Sequence, residues 1–155
     1  MKLSEVKLDE QIKETIRRHQ WRLEEKEIEV SYKLAPVILK GDPELLVNIW
    51  DNLLTNAIKY NSHGGSILIS LSQTQTAIEV IFQDTGIGIS EDAISQIFER
   101  FYRVDSARKK DGTGLGLSIV KQIIELHNGE IKADSKAGEG TTFTITFFRE
   151  KQREE

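Results

Sequence analysis

Apolar residues recur along this chain at two different periods, and the switches between them mark its elements. Leu8, Ile12, Ile16 and Leu23 stand at near-helical spacing among Lys, Arg and Glu, which predicts a surface helix over residues 8 to 26, packed by one stripe. Met1–Lys7 before it reads as a short polar lead-in. Glu27–Leu34 alternates Ile28, Val30, Tyr32 and Leu34, a half-buried strand, and Val37–Lys40 is a second, short one before Gly41 turns the chain. Helical spacing returns over Asp42–Tyr60, where Leu45, Leu46, Ile49, Trp50, Leu53, Leu54 and Ala57 share one side. Its start is well marked: Asp42 suits an N-cap, Pro43 the first helical position and Glu44 the positive end of the dipole.

After the turn Asn61–Gly65, residues 66–72 and 77–83 alternate again around a polar link, as an antiparallel hairpin does. Ser90 is placed to cap a short helix carrying Ile94, Ile97 and Phe98 inward. Glu99–Thr113 has no convincing period in its second half, and a loop that long in a compact domain is usually functional or disordered. Gly114–Leu117 opens another helix with Ile119, Val120, Ile123, Ile124 and Leu126 on its buried side, ended by His127-Asn128-Gly129. Glu130–Ser135 and Thr141–Phe148 form a last hairpin around Lys136–Gly140. The expected fold is an α/β (α+β) two-layer sandwich: a mixed, mostly antiparallel sheet with helices on one face. Residues 8–148 make one domain, 1–7 a linker remnant and 149–155 a charged tail.

Composition narrows the chemistry. With 155 residues and 38% apolar content the chain can bury a real core. It has no cysteine, which excludes disulfides, thiolate catalysis and Cys-ligated zinc. No apolar run is long enough to span a bilayer, and a net charge of −4 gives no general pull toward nucleic acid. Charge is uneven, however. Between Phe98 and Lys110, Arg100, Arg103, Arg108, Lys109 and Lys110 outnumber Glu99 and Asp105, a local excess suited to a small anion.

Three stretches carry candidate chemistry. The polar side of the Asp42–Tyr60 helix holds Asn48, Asp51, Asn52, Thr55, Asn56 and Lys59. Asparagine is a mediocre helix former, amide oxygens are hard ligands for Mg²⁺, and a lysine one turn on can meet a phosphate. Asp84-x-Gly86-x-Gly88, at the exit of a core strand, offers a carboxylate to an exocyclic amine and lets backbone approach a ligand closely. Gly112-Thr113-Gly114-Leu115-Gly116-Leu117 leads into a helix N-terminus, where free N–H groups favour phosphate. It is neither a dinucleotide fingerprint nor a Walker loop.

Taken in order, Asn52-x-x-x-Asn56-x-x-Lys59-Tyr60, Asp84-x-Gly86-x-Gly88, Phe98-Glu99-Arg100-Phe101-Tyr102-Arg103 and Gly112–Leu117 resemble the catalytic, ATP-binding domain of bacterial two-component sensor histidine kinases. These share an ATPase superfamily with DNA gyrase B, the mismatch-repair ATPases and the ninety-kilodalton chaperones. The resemblance covers residues 8 to 148 and implies MgATP as ligand. It gives Asn56 to the metal and Asn52, one turn away, to positioning the metal or a water. Lys59 would meet a phosphate and Tyr60 would flank the base or ribose. Asp84 would read the adenine amine, supported through water by Thr141, with Gly86, Gly88 and Ile89 completing that loop. Phe98 and Phe101 would anchor a lid, and Tyr102 and Arg103 would bind nucleotide, Arg103 at the terminal phosphate. The backbone of Gly112, Thr113, Gly114, Leu115, Gly116 and Leu117 would wrap the phosphates.

The implied activity is transfer of the γ-phosphate to a histidine on a partner helical-hairpin domain, with Asn52 and Arg103 as catalytic residues. The implied partners are that phosphoacceptor domain and a response regulator. The fragment is expected to be a monomeric cytoplasmic domain of a homodimeric, membrane-bound sensor. Two other readings stand beside it, a hydrolytic ATPase and a nucleotide-binding module without chemistry. Hydrolytic relatives carry a glutamate where Asn52 stands, and an amide is no general base. The family's acceptor histidine is followed by an acidic residue; His19 is followed by Gln20, and His63 and His127 sit in a turn and at a helix end, so all three read as structural. The chain thus looks like a catalytic domain separated from its acceptor hairpin.

Overall fold

In the computed structural model the described residues are 1–94, 96–99 and 117–149. They form β1 (Ser4–Lys7), α1 (Leu8–Arg18), α2 (Gln20–Glu25), β2 (Glu29–Leu34), β3 (Ile38–Gly41), α3 (Pro43–Lys59), β4 (Ser66–Gln73), β5 (Ala77–Asp84), α4 (Glu91–Ile94), α5 (Leu117–Leu126), β6 (Gly129–Lys136) and β7 (Gly140–Phe148). The main sheet runs β2-β4-β5-β7-β6, parallel only between β2 and β4; α3 and α5 pack against it, and α1 packs against α3 and β1. The mixed, mainly antiparallel α/β sandwich expected from the pattern is the fold found.

Two departures concern the N-terminal quarter. Ser4–Lys7 is not a lead-in but a strand, antiparallel to β3, with Val6 buried. The chain between Leu8 and Lys26 is two helices, because the backbone turns at His19 (φ −105°, ψ 14°). Ile16 and Leu23 stand seven positions apart, a spacing compatible with an unbroken helix, so the stripe alone hides the break.

Helix α3 forms as its sequence dictates. The Asp42 carboxylate accepts from the N–H groups of Glu44 and Leu45 at 3.0 and 3.1 Å, with Pro43 at the first position. Trp50 on its buried side lies parallel to Phe82 of β5, ring centroids 6.2 Å apart, and meets the Phe147 ring edge-on at 6.5 Å. Its indole N–H donates to Gln11 of α1 at 2.9 Å, so one side chain joins two helices to the sheet. Truncating it to alanine would cost about 3–5 kcal/mol by the usual cavity penalty. His127 clamps α5 to the start of α3: its Nδ1–H donates to Ile123 O at 2.8 Å and its Nε2 accepts the Asp42 N–H at 3.1 Å. That is the structural role expected of it.

The buried stripe of α5 is Leu117, Val120, Ile123 and Ile124. Ile119 and Leu126, expected inside, are about 60% exposed, because at about 100° per residue they lie well around the helix from Val120 and Ile124. At the C-terminal end Arg149 bonds back to Thr76 and Gln73; the rest of the charged tail lies outside the described residues.

Candidate functional site

Strand β5 ends at Asp84 beside Thr141 of β7, and Thr141 in turn is the register partner of Ser135 on β6. Asp84 and Thr141 continue the buried alternation of β5 and β7, and Ser135 the half-buried one of β6, all at one end of the sheet. The Asp84 Oδ1 accepts the Gly86 N–H at 2.8 Å. Burial pushes the Asp84 carboxyl above its ordinary value, while the N–H groups of Gly86 and Thr141 pull it down. A half-buried carboxylate whose donors among the described residues are backbone N–H groups is suited to take a donor from a ligand.

The loop after Asp84 needs its glycines for space. Gly88 has φ +76°, and a Cβ there would stand 1.9 Å from the Lys136 carbonyl oxygen. Gly140, with φ +109°, would press a Cβ to 2.0 Å from the Asp84 carbonyl oxygen. The Asp84 loop and the β6–β7 turn therefore lie backbone on backbone. They are stitched by Gly138 N–H to Ile87 O and by Ile89 N–H to Ser135 Oγ, and the Ile87 N–H reaches Tyr60 O at the end of α3.

Between this loop and α3 opens a cleft that meets solvent. Asn56, Tyr60, Asp84, Ile87, Gly88, Ile89, Thr141 and Phe143 line it. Most of this lining is apolar, and Ile87 stands 54% exposed at its mouth, surface that a flat ring would cover. Asn56 also borders a second depression, which continues along the polar side of α3 past Asn48, Asp51, Asn52, Thr55 and Lys59 to His19. A ligand with an apolar, hydrogen-bonding head and a polyanionic tail fits this pair of hollows, head at Asp84 and tail along α3.

The structure thus brings together Asn56, Tyr60, Asp84, Gly88, Ile89 and Thr141, with Gly86 as the donor to Asp84, and sets Asn52 and Lys59 in the adjoining depression. The Lys59 Nζ lies 5.5 Å from the centre of the Tyr60 ring. Leu117 is buried at the head of α5, its side chain in the core rather than in the cleft. Phe101, Tyr102, Arg103 and Gly112–Gly116 lie outside the described residues. Ile87 and Phe143 as cleft walls, and Ser135 behind Thr141, were not singled out from the sequence.

On α3 the carboxylate nearest Asn52 is committed elsewhere. Asp51 accepts from Arg18 at 3.2 Å and pairs with His19 Nε2 at 2.9 Å. The other His19 ring nitrogen, Nδ1, is buried without a partner among the described residues, so neither nitrogen is open to a phosphoryl group. Asn52 donates its amide N–H to Asn48 O at 2.8 Å and so keeps its oxygen outward. No cluster of three or more His, Asp or Glu side chains among the described residues is placed for a metal ion. A cation here would be held by few protein ligands, as suits Mg²⁺ bound largely through phosphates.

Residues 41–151 match the model of the family described as histidine kinase-, DNA gyrase B-, and HSP90-like ATPases. The chain belongs to this family. Among its relatives are the heme sensor protein HssS of Staphylococcus saprophyticus, 41% identical over 143 residues, and the sensor histidine kinase WalK of Bacillus subtilis, 40% identical over 119. Those alignments take in 92% and 74% of this chain but only 31% and 20% of the relatives, so the chain spans about a third or less of their length. Solved structures agree in fold. A nucleotide-free catalytic domain of the histidine kinase ThkA superposes with a TM-score of 0.85 at 26% identity, covering 96% of both chains. A mycobacterial sensor histidine kinase, MprB, gives 0.83 at 30%, covering 95% and 97%. The sensor-kinase branch suggested by the motifs is therefore the branch in which this ATPase domain falls.

Proposed function

We propose that this chain binds MgATP, base at Asp84 and phosphates along α3, and donates the γ-phosphate to a histidine on a helical-hairpin domain of the same parent kinase. The observation that carries the reading is Asp84: a half-buried carboxylate, lifted by burial and met among the described residues by backbone N–H groups alone, opening onto a cleft that leads to Asn56. Asn56 and the substrate phosphates would hold the Mg²⁺, which would neutralise charge as the phosphoryl group leaves. Asn52 and Lys59 would position the phosphate end, and Arg103 would reach the terminal phosphate; the loop Phe101–Thr113 would close as a lid while the Gly112–Leu117 backbone wraps the phosphates. Catalysis of this kind is mainly placement and charge compensation.

Two features favour transfer over hydrolysis. Asn52 offers an amide where hydrolysis needs a base, and Asp51 is occupied by Arg18 and His19. The parent is proposed to be a homodimeric membrane sensor whose phosphohistidine supplies a response regulator; no helix among the described residues is itself long and apolar enough to cross a membrane. Mixed with its dimeric hairpin domain and MgATP, the chain should phosphorylate one histidine there, giving acid-labile, alkali-stable label, while turning over little ATP alone. Arg103→Ala should suppress transfer far more than it weakens ADP binding. Steady ATP turnover by the chain alone, with no label on the hairpin, would overturn the kinase reading in favour of hydrolysis.

A further inference from the structure

Ser135 takes part in more hydrogen bonds than its place in an edge strand requires. Its Oγ lies 2.7 Å from the Ile89 N, 2.8 Å from the Gly140 carbonyl oxygen and 2.8 Å from the Thr141 Oγ1. A hydroxyl has one proton and two lone pairs, and only one assignment satisfies all three contacts. The Ile89 N–H can only donate, so it uses one lone pair. The Gly140 carbonyl can only accept, so it takes the serine proton. The contact with Thr141 then has to be made by the threonine proton, pointing at the second serine lone pair. Thr141 is consequently left with lone pairs and no proton toward the cleft that it lines.

We propose that Ser135 fixes the hydrogen-bonding polarity of Thr141 and so acts as a positioning residue for base selectivity; this rests on the reading of Asp84 and Thr141 as the base-recognising pair. With the Thr141 proton turned away, the row Asp84–Thr141 presents acceptors only. An adenine edge answers it: the amino group donates to Asp84, and a water donating to the ring nitrogen can give its other proton to Thr141. A base with a carbonyl in place of the amine meets acceptor against acceptor at Asp84; its ring N–H can still reach Thr141 through the water, but no hydroxyl is free to turn and donate to the carbonyl. Selectivity then comes as much from rejecting the wrong base as from holding the right one. The same serine holds Ile89 and the Gly140 turn, so the polarity of the site and the shape of its glycine loop are set at one atom.

The test is a calorimetric titration of the chain with ATP, GTP and inosine triphosphate, each with Mg²⁺. Ser135→Ala frees the Thr141 hydroxyl to rotate. It should reduce the preference for ATP over both carbonyl bases by about three- to tenfold, the worth of one net hydrogen bond, mainly by tightening GTP and inosine triphosphate. Ser135→Thr keeps the hydroxyl and should keep the wild-type ratio. In a Thr141→Val background Ser135→Ala should change the ratio no further. If Ser135→Ala does not fold by near-ultraviolet circular dichroism, Ser135→Cys, a weak donor of similar size, carries the same expectation. A selective wild type with an equally selective Ser135→Ala overturns the role of Ser135 and leaves Asp84 in place. A wild type that does not distinguish the bases overturns the adenine reading and this role with it.

Discussion

The two ends of the candidate site are built on opposite plans. At the Asp84 end, polar groups are held by backbone from three separate segments: Gly86 N–H on the carboxylate, Ile87 N–H on Tyr60 O, and Ser135 between Ile89 and Gly140. Along α3 the polar groups are side chains leaning on their own helix, as Asn52 does on Asn48 O and Thr55 on Asp51 O. The first plan fixes hydrogen-bond polarity to within a rotamer and suits discrimination between bases. The second leaves amides and a lysine on long tethers, which suits a flexible polyphosphate and its metal. Selectivity and phosphate handling are thereby divided between a backbone-built end and a side-chain-built one.

The largest effect should come from breaking the backbone-built end. Asp84→Asn removes the charge facing the exocyclic amine and should weaken ATP by about ten- to a hundredfold. Its effect on the apo fold should have the opposite sign. Because burial raises the Asp84 carboxyl, the folded chain holds that proton more tightly than the unfolded one. The associated stability is complete below the ordinary value of 3.8 and is lost as pH rises through the raised value. Asp84→Asn should erase that slope, and thermal melts of the apo variant at neutral pH should lie above wild type. Equal melting and unchanged ATP affinity would remove Asp84 from the site.

Next in size is the side-chain-built end. Asn56→Ala should abolish most of the gain that Mg²⁺ gives to ATP binding, a loss of about tenfold, while leaving ATP without metal little changed. Wild-type Mg²⁺ dependence in the variant would take the metal away from Asn56. The smallest effect sharpens the boundary between site and scaffold. His19→Ala should leave MgATP affinity within about twofold and cost the fold about 1 kcal/mol through the Asp51 contact. A large loss of affinity with no loss of stability would move His19 into the phosphate end.

Sequence reading reached the two ends unequally. Helix α3 and its polar side were readable because capping residues and a 3.6-residue period act locally, and nothing tertiary overrides them there. Asp84 and its glycines were readable only in company with the other motifs, since Asp-x-Gly-x-Gly alone is common in turns after strands. Ser135 was invisible: in GEIKADSK it occupies an ordinary alternating position of an edge strand, and its role exists only where β6 meets β7 and the Ile89 loop. Strand β1 was missed for the same reason, since four residues with one buried valine acquire strand character only by pairing with β3. At the break between α1 and α2, His19 meets Asp51, 32 residues away, a contact that no local pattern shows. Contacts between distant segments, rather than weak local preference, account for these misses.

The most direct test of where nucleotide sits is an amide-resolved NMR titration of the chain with MgADP. The backbone N–H groups of Gly86, Ile87 and Thr141 and the side-chain amide of Asn56 should shift together, saturating with one dissociation constant. Shifts confined to the groove lined by Trp21, Arg22 and Lys26, with Gly86 and Asn56 unmoved, would place nucleotide elsewhere and contradict the division of labour between Asp84 and α3.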